Sequence, residues 1–208
     1  METTVTDPSL RVLDPPGRPR AVVLMLHGGK ERSTTPVDGR SASWRRTAAM
    51  QRAIAPRVHA AGASTWLLRY RERGWNGGSG PVADGRRALE QVRRAHGDVP
   101  VVLLGHSMGA RTSVHVADDP SVVGVVGLAP WFPADEPVTA LAGKQLVAAH
   151  GRRDHITSYR ATEAFVARAR GVAARAELRD MGPVGHYMLK RVAAWNDVAA
   201  EAALAQLG

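Results

Sequence analysis

Short, wholly apolar runs separated by longer segments of helical spacing mark most of this chain. Residues 21–26, AVVLML, are apolar at every position and end in His27-Gly28-Gly29, the pattern of a strand buried on both faces. Residues 41–61 place Trp44, Ala48, Ile54 and Val58 near one helical face, with Pro56 expected to kink the helix and Gly62 to close it. A second strand is expected over 65–70. Pro81 suits a first helical residue, and Val82, Leu89 and Val92 then line one face of a helix to about His96.

Further strands are read at 101–104, 122–128, 145–150 and 174–178. Helices are read at 158–170, with Thr162, Phe165, Val166 and Ala169 inward, and at 188–207, with Val192, Trp195 and Ala199 on one side. The first 20 residues are polar and proline-rich and contribute at most an edge strand, near Val5 or over 10–13. Strands alternating with helices imply an α/β domain over 21–208: a mostly parallel, doubly wound sheet with helices on both faces.

Composition narrows the classes. At 208 residues and 44% hydrophobic, the chain fits one domain with a substantial core. No apolar run nears the ~18 residues of a membrane span. The start, METTVTDPSL, is neither basic nor apolar, so no cleaved leader and no membrane partner are expected, and the expected location is cytoplasmic. Without cysteine there is no disulfide, thiol nucleophile or thiolate metal site. The net charge of +9 invites a nucleic-acid reading, but the arginines are scattered in ones and twos without a basic run, so no nucleic-acid partner is expected. The basic surface can instead draw anionic substrates.

The candidate chemistry centres on Gly105-His106-Ser107-Met108-Gly109, which follows one apolar run and precedes a helix-compatible one. Strand, G-x-S-x-G, helix is a nucleophile elbow: a strained turn that lifts a serine hydroxyl above the sheet and aims a helix N-terminus at it. Such a serine needs a base, and the base an orienting carboxylate. Asp154 and His186 both follow later strands, in the order serine, acid, histidine. Asp154 could instead cap the helix that begins near Ser158, with Asp135 as the reserve acid, and His186 could be an ordinary loop histidine. His106 is expected to pack beside the nucleophile, while His150 and His155 receive no role. A zinc reading of His150 and His155 fails on spacing, and no metal or cofactor is expected. Glycines after the first strand leave backbone N–H groups open to an oxyanion, assigned to Met108 and Gly29 with Lys30 as the alternative to Gly29. The Arg- and Gly-rich loop 71–80 lacks the ending of a phosphate-binding loop.

Through LHGG (26–29), GHSMG (105–109), HGRRD (150–154) and Gly185-His186, the chain resembles the α/β-hydrolase family over roughly residues 20–205. It particularly resembles the small lidless members similar to dienelactone hydrolases and short-chain esterases. The resemblance implies one antiparallel strand near the N-terminus, Ser107 as nucleophile, His186 as base and then acid, and Asp154 as its orienter. The cysteine nucleophile of dienelactone hydrolases proper is absent, and residues 129–144 are too few for a cap domain. An open pocket beside the motif loops is expected to use Trp75, Trp131, Phe132 and Tyr187, with Arg73 facing an acidic substrate group. The expected reaction is hydrolysis of a small-molecule carboxylic ester. A thioesterase or small-peptide amide hydrolase is the nearest alternative, and a non-catalytic ligand-binding module on the same fold is the alternative of another class.

Overall fold

The computed structural model describes residues 9–208, and in it strand β2 (Ala21–Leu26) is buried along its whole length. Its side chains alternate between two cores, as the two-residue period of a strand requires. Val22, Leu24 and Leu26 enter one, and Ala21, Val23 and Met25 the other. The first core is closed by helices α2 (Ser79–His96), α3 (Met108–His115) and α4 (Tyr159–Ala169). The second is closed by α1 (Ala42–Ala60) and α5 (Val192–Ala205). Trp195 of α5 is fully buried there.

Among the described residues seven strands run in the order β1-β3-β2-β4-β5-β6-β7. Strands β3 (Ala63–Arg69), β4 (Val101–His106), β5 (Val122–Leu128), β6 (Gln145–His150) and β7 (Arg175–Asp180) are all parallel to β2. Strand β1 (Ser9–Leu13) pairs antiparallel with β3, which gives the sheet its one reversed edge; Val5 lies outside the described residues. From β2 the chain winds outward to β3, then returns past β2 to β4. The carboxyl ends of β2 and β4 therefore flank the point where the winding reverses, the place where open α/β sheets bind ligands. Between β5 and β6 there is one 3-10 turn, Thr139–Leu141, and no inserted cap. No described helix is long and apolar enough to cross a membrane.

Two helix starts differ from the sequence reading. Helix α2 begins at Ser79, two residues before Pro81. Helix α5 begins at Val192 rather than 188, because Met188 and Arg191 adopt left-handed backbone at φ 54° and 55°. Arg46 holds this stretch as a loop, donating from Nε to the Tyr187 carbonyl (3.2 Å) and from Nη2 to that of Met188. Pro56 is accommodated inside α1, which continues to Ala60.

Candidate active site

Ser107 joins β4 to α3 with φ 53° and ψ −115°, a backbone conformation that L side chains rarely hold. The turn survives because its surroundings fix it. The Ser107 N–H donates to the Leu128 carbonyl at the end of β5 (3.1 Å). The flanking glycines allow the helix to sit down on the sheet: a Cβ at Gly105 would lie 2.3 Å from the Ala110 nitrogen, and one at Gly109 would lie 2.1 Å from the Leu26 carbonyl oxygen. The motif spacing is thus a packing requirement between α3 and strands β2 and β4.

The three separated candidates meet at this turn. His186 Nε2 lies 3.0 Å from Ser107 Oγ, and His186 Nδ1 lies 2.8 Å from Asp154 Oδ2. Asp154 follows β6 and His186 follows β7, so the order serine, acid, histidine becomes a linear relay along the carboxyl edge of the sheet. Asp154 Oδ1 accepts the N–H groups of Ile156 and Thr157, both at 2.8 Å. The helix-cap role falls instead to Ser158, whose hydroxyl accepts from the Ala161 N–H at 3.2 Å. Burial raises the Asp154 carboxyl, but hydrogen bonds from His150 and His186 outweigh it, and the net shift is well below the usual carboxylate range. Asp135 takes no part and lies exposed on the rim of a neighbouring groove.

His150 was missed as a functional residue. It is fully buried and donates from Nε2 to Asp154 Oδ2 (3.0 Å), while Thr162 Oγ1 lies 2.8 Å from its Nδ1. Thr157 adds its hydroxyl to the same Asp154 oxygen at 2.9 Å. The HGRRD spacing carried this signal, because residues 150 and 154 bracket the end of one strand. His155 is exposed.

His106 packs against the relay, its ring centroid 5.0 Å from that of His186, and donates from Nε2 to the His186 carbonyl at 3.1 Å. Burial, with the His186 charge adding to it, lowers its pKa to about 3. His27 lies within 2.6 Å of the Gly28 carbonyl through Nδ1 and accepts the Tyr70 N–H at Nε2. Burial lowers its pKa to about 4. Both rings are neutral at physiological pH.

Of the expected oxyanion donors, the Met108 and Gly29 N–H groups have no acceptor among the described residues, and Gly29 is exposed. Lys30, the alternative, is engaged: its N–H donates to the Arg73 carbonyl at 2.7 Å.

The expected pocket aromatics divide. Trp75 and Trp131 line an open groove of about 750 Å³ together with Arg111. Tyr187 is 61% exposed beside His186. Phe132 does not reach a pocket; it is buried and stacks on Phe165 with ring centroids 4.0 Å apart. Arg73 is also withdrawn, donating to the Pro36 carbonyl (3.1 Å) and pairing with Asp38 (3.2 Å).

A family model described as serine aminopeptidase, S33, matches residues 61–149, a span that includes Ser107 and stops short of Asp154 and His186. A comparison with curated proteins finds no match. Among solved structures, an α/β serine hydrolase homologue from Coxiella burnetii superposes with a TM-score of 0.74 at 18% identity, covering 97% of this chain and 94% of that one. An α/β serine hydrolase without lid from Xanthomonas campestris gives 0.66 at 18% identity, over 97% and 96%. A butyrate-bound thermophilic esterase from Thermogutta terrifontis gives 0.67 at 15% identity, over 99% and 88%.

Proposed function

We propose that this chain, an α/β-hydrolase by fold, is a serine hydrolase that cleaves a small carboxylic ester through an acyl-enzyme. The observation that carries this reading is the continuous relay from Ser107 Oγ through His186 to Asp154, with contacts of 3.0 and 2.8 Å. With Nδ1–H held by the carboxylate, His186 presents a bare Nε2 to the serine hydroxyl, the tautomer a general base needs. Ser107 Oγ attacks the substrate carbonyl as His186 takes its proton. The N–H groups of Met108 and Gly29 receive the developing oxyanion, and His186 returns the proton to the departing alcohol. Water, activated by the same histidine, then hydrolyses the acyl-serine.

The match to the serine aminopeptidase model supports a second reading, amide cleavage at the same serine. Its leaving amine requires the proton from His186 more strictly than an alkoxide does, so parallel rates on short acyl esters, thioesters and aminoacyl amides separate the two.

The test of the shared chemistry is intact mass after treatment with a fluorophosphonate, on wild type and Ser107→Ala together. One adduct on wild type and none on the variant is expected. A folded wild type that gains no adduct would overturn the hydrolase reading and leave the ligand-binding module on this fold.

A further inference from the structure

Beside the relay, Arg111 has more hydrogen-bonding capacity than the protein uses. It sits one turn into α3, and its backbone N–H and that of Trp131 both donate to the Ser107 carbonyl at 3.3 Å. The groove wall is therefore bonded directly to the serine. The Arg111 guanidinium lies in a corner of two indoles, 4.3 Å from the Trp75 ring and 4.5 Å from the Trp131 ring. The indoles meet edge to face with centroids 6.2 Å apart. From behind, Arg111 Nε is 2.5 Å from Glu136 Oε2, whose side chain is fully buried. His115 occupies the other Glu136 oxygen, and Arg168 donates to the Glu136 carbonyl at 2.8 Å.

The Glu136 carboxylate pairs with the guanidinium from behind without an aligned hydrogen bond, and the terminal nitrogens are left open. An arginine carries five N–H donors. The four on its terminal nitrogens have no acceptor among the described residues, and Arg111 lines the groove, its side chain 16% exposed. Apolar walls on two sides and a buried counter-ion at the back hold the fork in place and limit its loss of freedom on binding. The acidic groups of the groove, Glu31 and Asp135, are exposed at its rim, where water screens them, and Arg32 stands beside them.

We propose that this groove is the subsite for a carboxylate on the substrate, received by the Arg111 fork, so that the preferred substrate is an acidic monoester. The inference rests on the ester-hydrolase reading for the bond that is cut, and on Arg111 alone for the charge. It also replaces Arg73 with Arg111 as the cation that meets an acidic substrate.

The test compares kcat/KM for mono-p-nitrophenyl glutarate with that for p-nitrophenyl hexanoate, a neutral ester of similar length. Wild type should favour the acidic ester about tenfold or more, the order expected of a charge-assisted bidentate contact. Arg111→Gln alone leaves Glu136 buried without its partner and can unfold the loop. The deciding variant is therefore Arg111→Gln with Glu136→Gln, its folding checked by thermal melting, in which the ratio should fall to about one. In a second arm, Ser107→Ala protein is titrated with monomethyl glutarate and with the corresponding amide, following tryptophan fluorescence from the indoles around Arg111. Saturable binding of the acid alone, lost when the Arg111 and Glu136 changes are added, is expected. A ratio near one in wild type, a ratio that survives in the double variant, or equal binding of acid and amide would each overturn the subsite. If neither ester is cleaved and no fluorophosphonate adduct forms, the hydrolase reading fails, and the fluorescence arm still decides the anion site.

Discussion

Acidification should destabilise this protein through two histidines that stand behind the relay. Burial holds His106 at a pKa of about 3 and His27 at about 4, against 6.5 in an exposed chain. Between those values the unfolded chain binds protons that the native rings refuse, so stability falls as pH drops below about 6.5 and the loss is complete only near each folded pKa. Integrated from pH 7 to about pH 5, each ring costs roughly 2 kcal/mol, together about 4 kcal/mol of a typical total of about 5–15. Asp84, its carboxyl raised by burial, acts in the opposite direction at the acid end. Asp154, held low, adds to the loss only below the usual carboxylate range. The measurement is urea unfolding followed by far-UV circular dichroism at the two pH values, on wild type and His106→Gln. The variant loses a hydrogen bond to the His186 carbonyl and starts less stable, but its loss between the two pH values should shrink to about 2 kcal/mol. Equal losses in the two proteins, or a wild-type loss below about 1 kcal/mol, would refute the assignment of these rings as buried and neutral.

Four further outcomes are expected. Asp154→Asn should keep the fold and lower kcat by about 10⁴, because an amide no longer selects the Nδ1–H tautomer of His186; an assay on any turned-over ester reads this directly. His150→Gln should lower kcat with little change in KM, because it removes a donor from Asp154 without facing the substrate; a change confined to KM would count against a positioning role. Gly109→Ala places a methyl 2.1 Å from the Leu26 carbonyl and should cost upwards of about 3 kcal/mol in thermal or urea unfolding. Gly29→Ala would put a methyl 2.5 Å from the Arg73 carbonyl oxygen and 2.4 Å from Met108 Sδ, so the Arg73 backbone must shift with the oxyanion donor; kcat should fall by about 10²–10³ and the melting temperature should fall with it.

How much the sequence disclosed depended on the range of the interaction involved. The boundaries of β2, β5 and β6 matched the apolar runs because those strands are buried on both faces and interrupted only by polar turns. Ser107, Asp154 and His186 were legible because a parallel sheet delivers every post-strand loop to one edge, so chain order alone brings them together. The start of α5 was not legible: its helical pattern extends back to 188, and Arg46, more than 140 residues away in sequence, helps to hold that stretch as a loop. The Arg111–Glu136 pair was invisible for the same reason. Each residue reads as an ordinary helix or loop charge until the fold buries the glutamate. Proximity to a motif misled at Phe132, where one residue's alternation sends Trp131 to the groove and Phe132 into the core.

The hydrogen bonds around the relay also explain why so many histidines collect at one serine. Asp154 Oδ2 is an acceptor only, so His150 must present Nε2–H, His186 Nδ1–H, and Thr157 its hydroxyl to that oxygen. With Nε2–H committed, His150 Nδ1 is an acceptor and takes the Thr162 hydroxyl at 2.8 Å, in preference to the Ser158 carbonyl that the same hydroxyl could reach at 3.3 Å. His106 stands nearest to His186 but directs Nε2–H at its carbonyl, and burial has removed most of its basicity. In the proposed reaction the proton leaving Ser107 therefore has one basic nitrogen to receive it, His186 Nε2. The imidazolium that forms is paired with a carboxylate already held ionised by two other side-chain donors. The surrounding histidines act as fixed donors that keep the catalytic proton from straying.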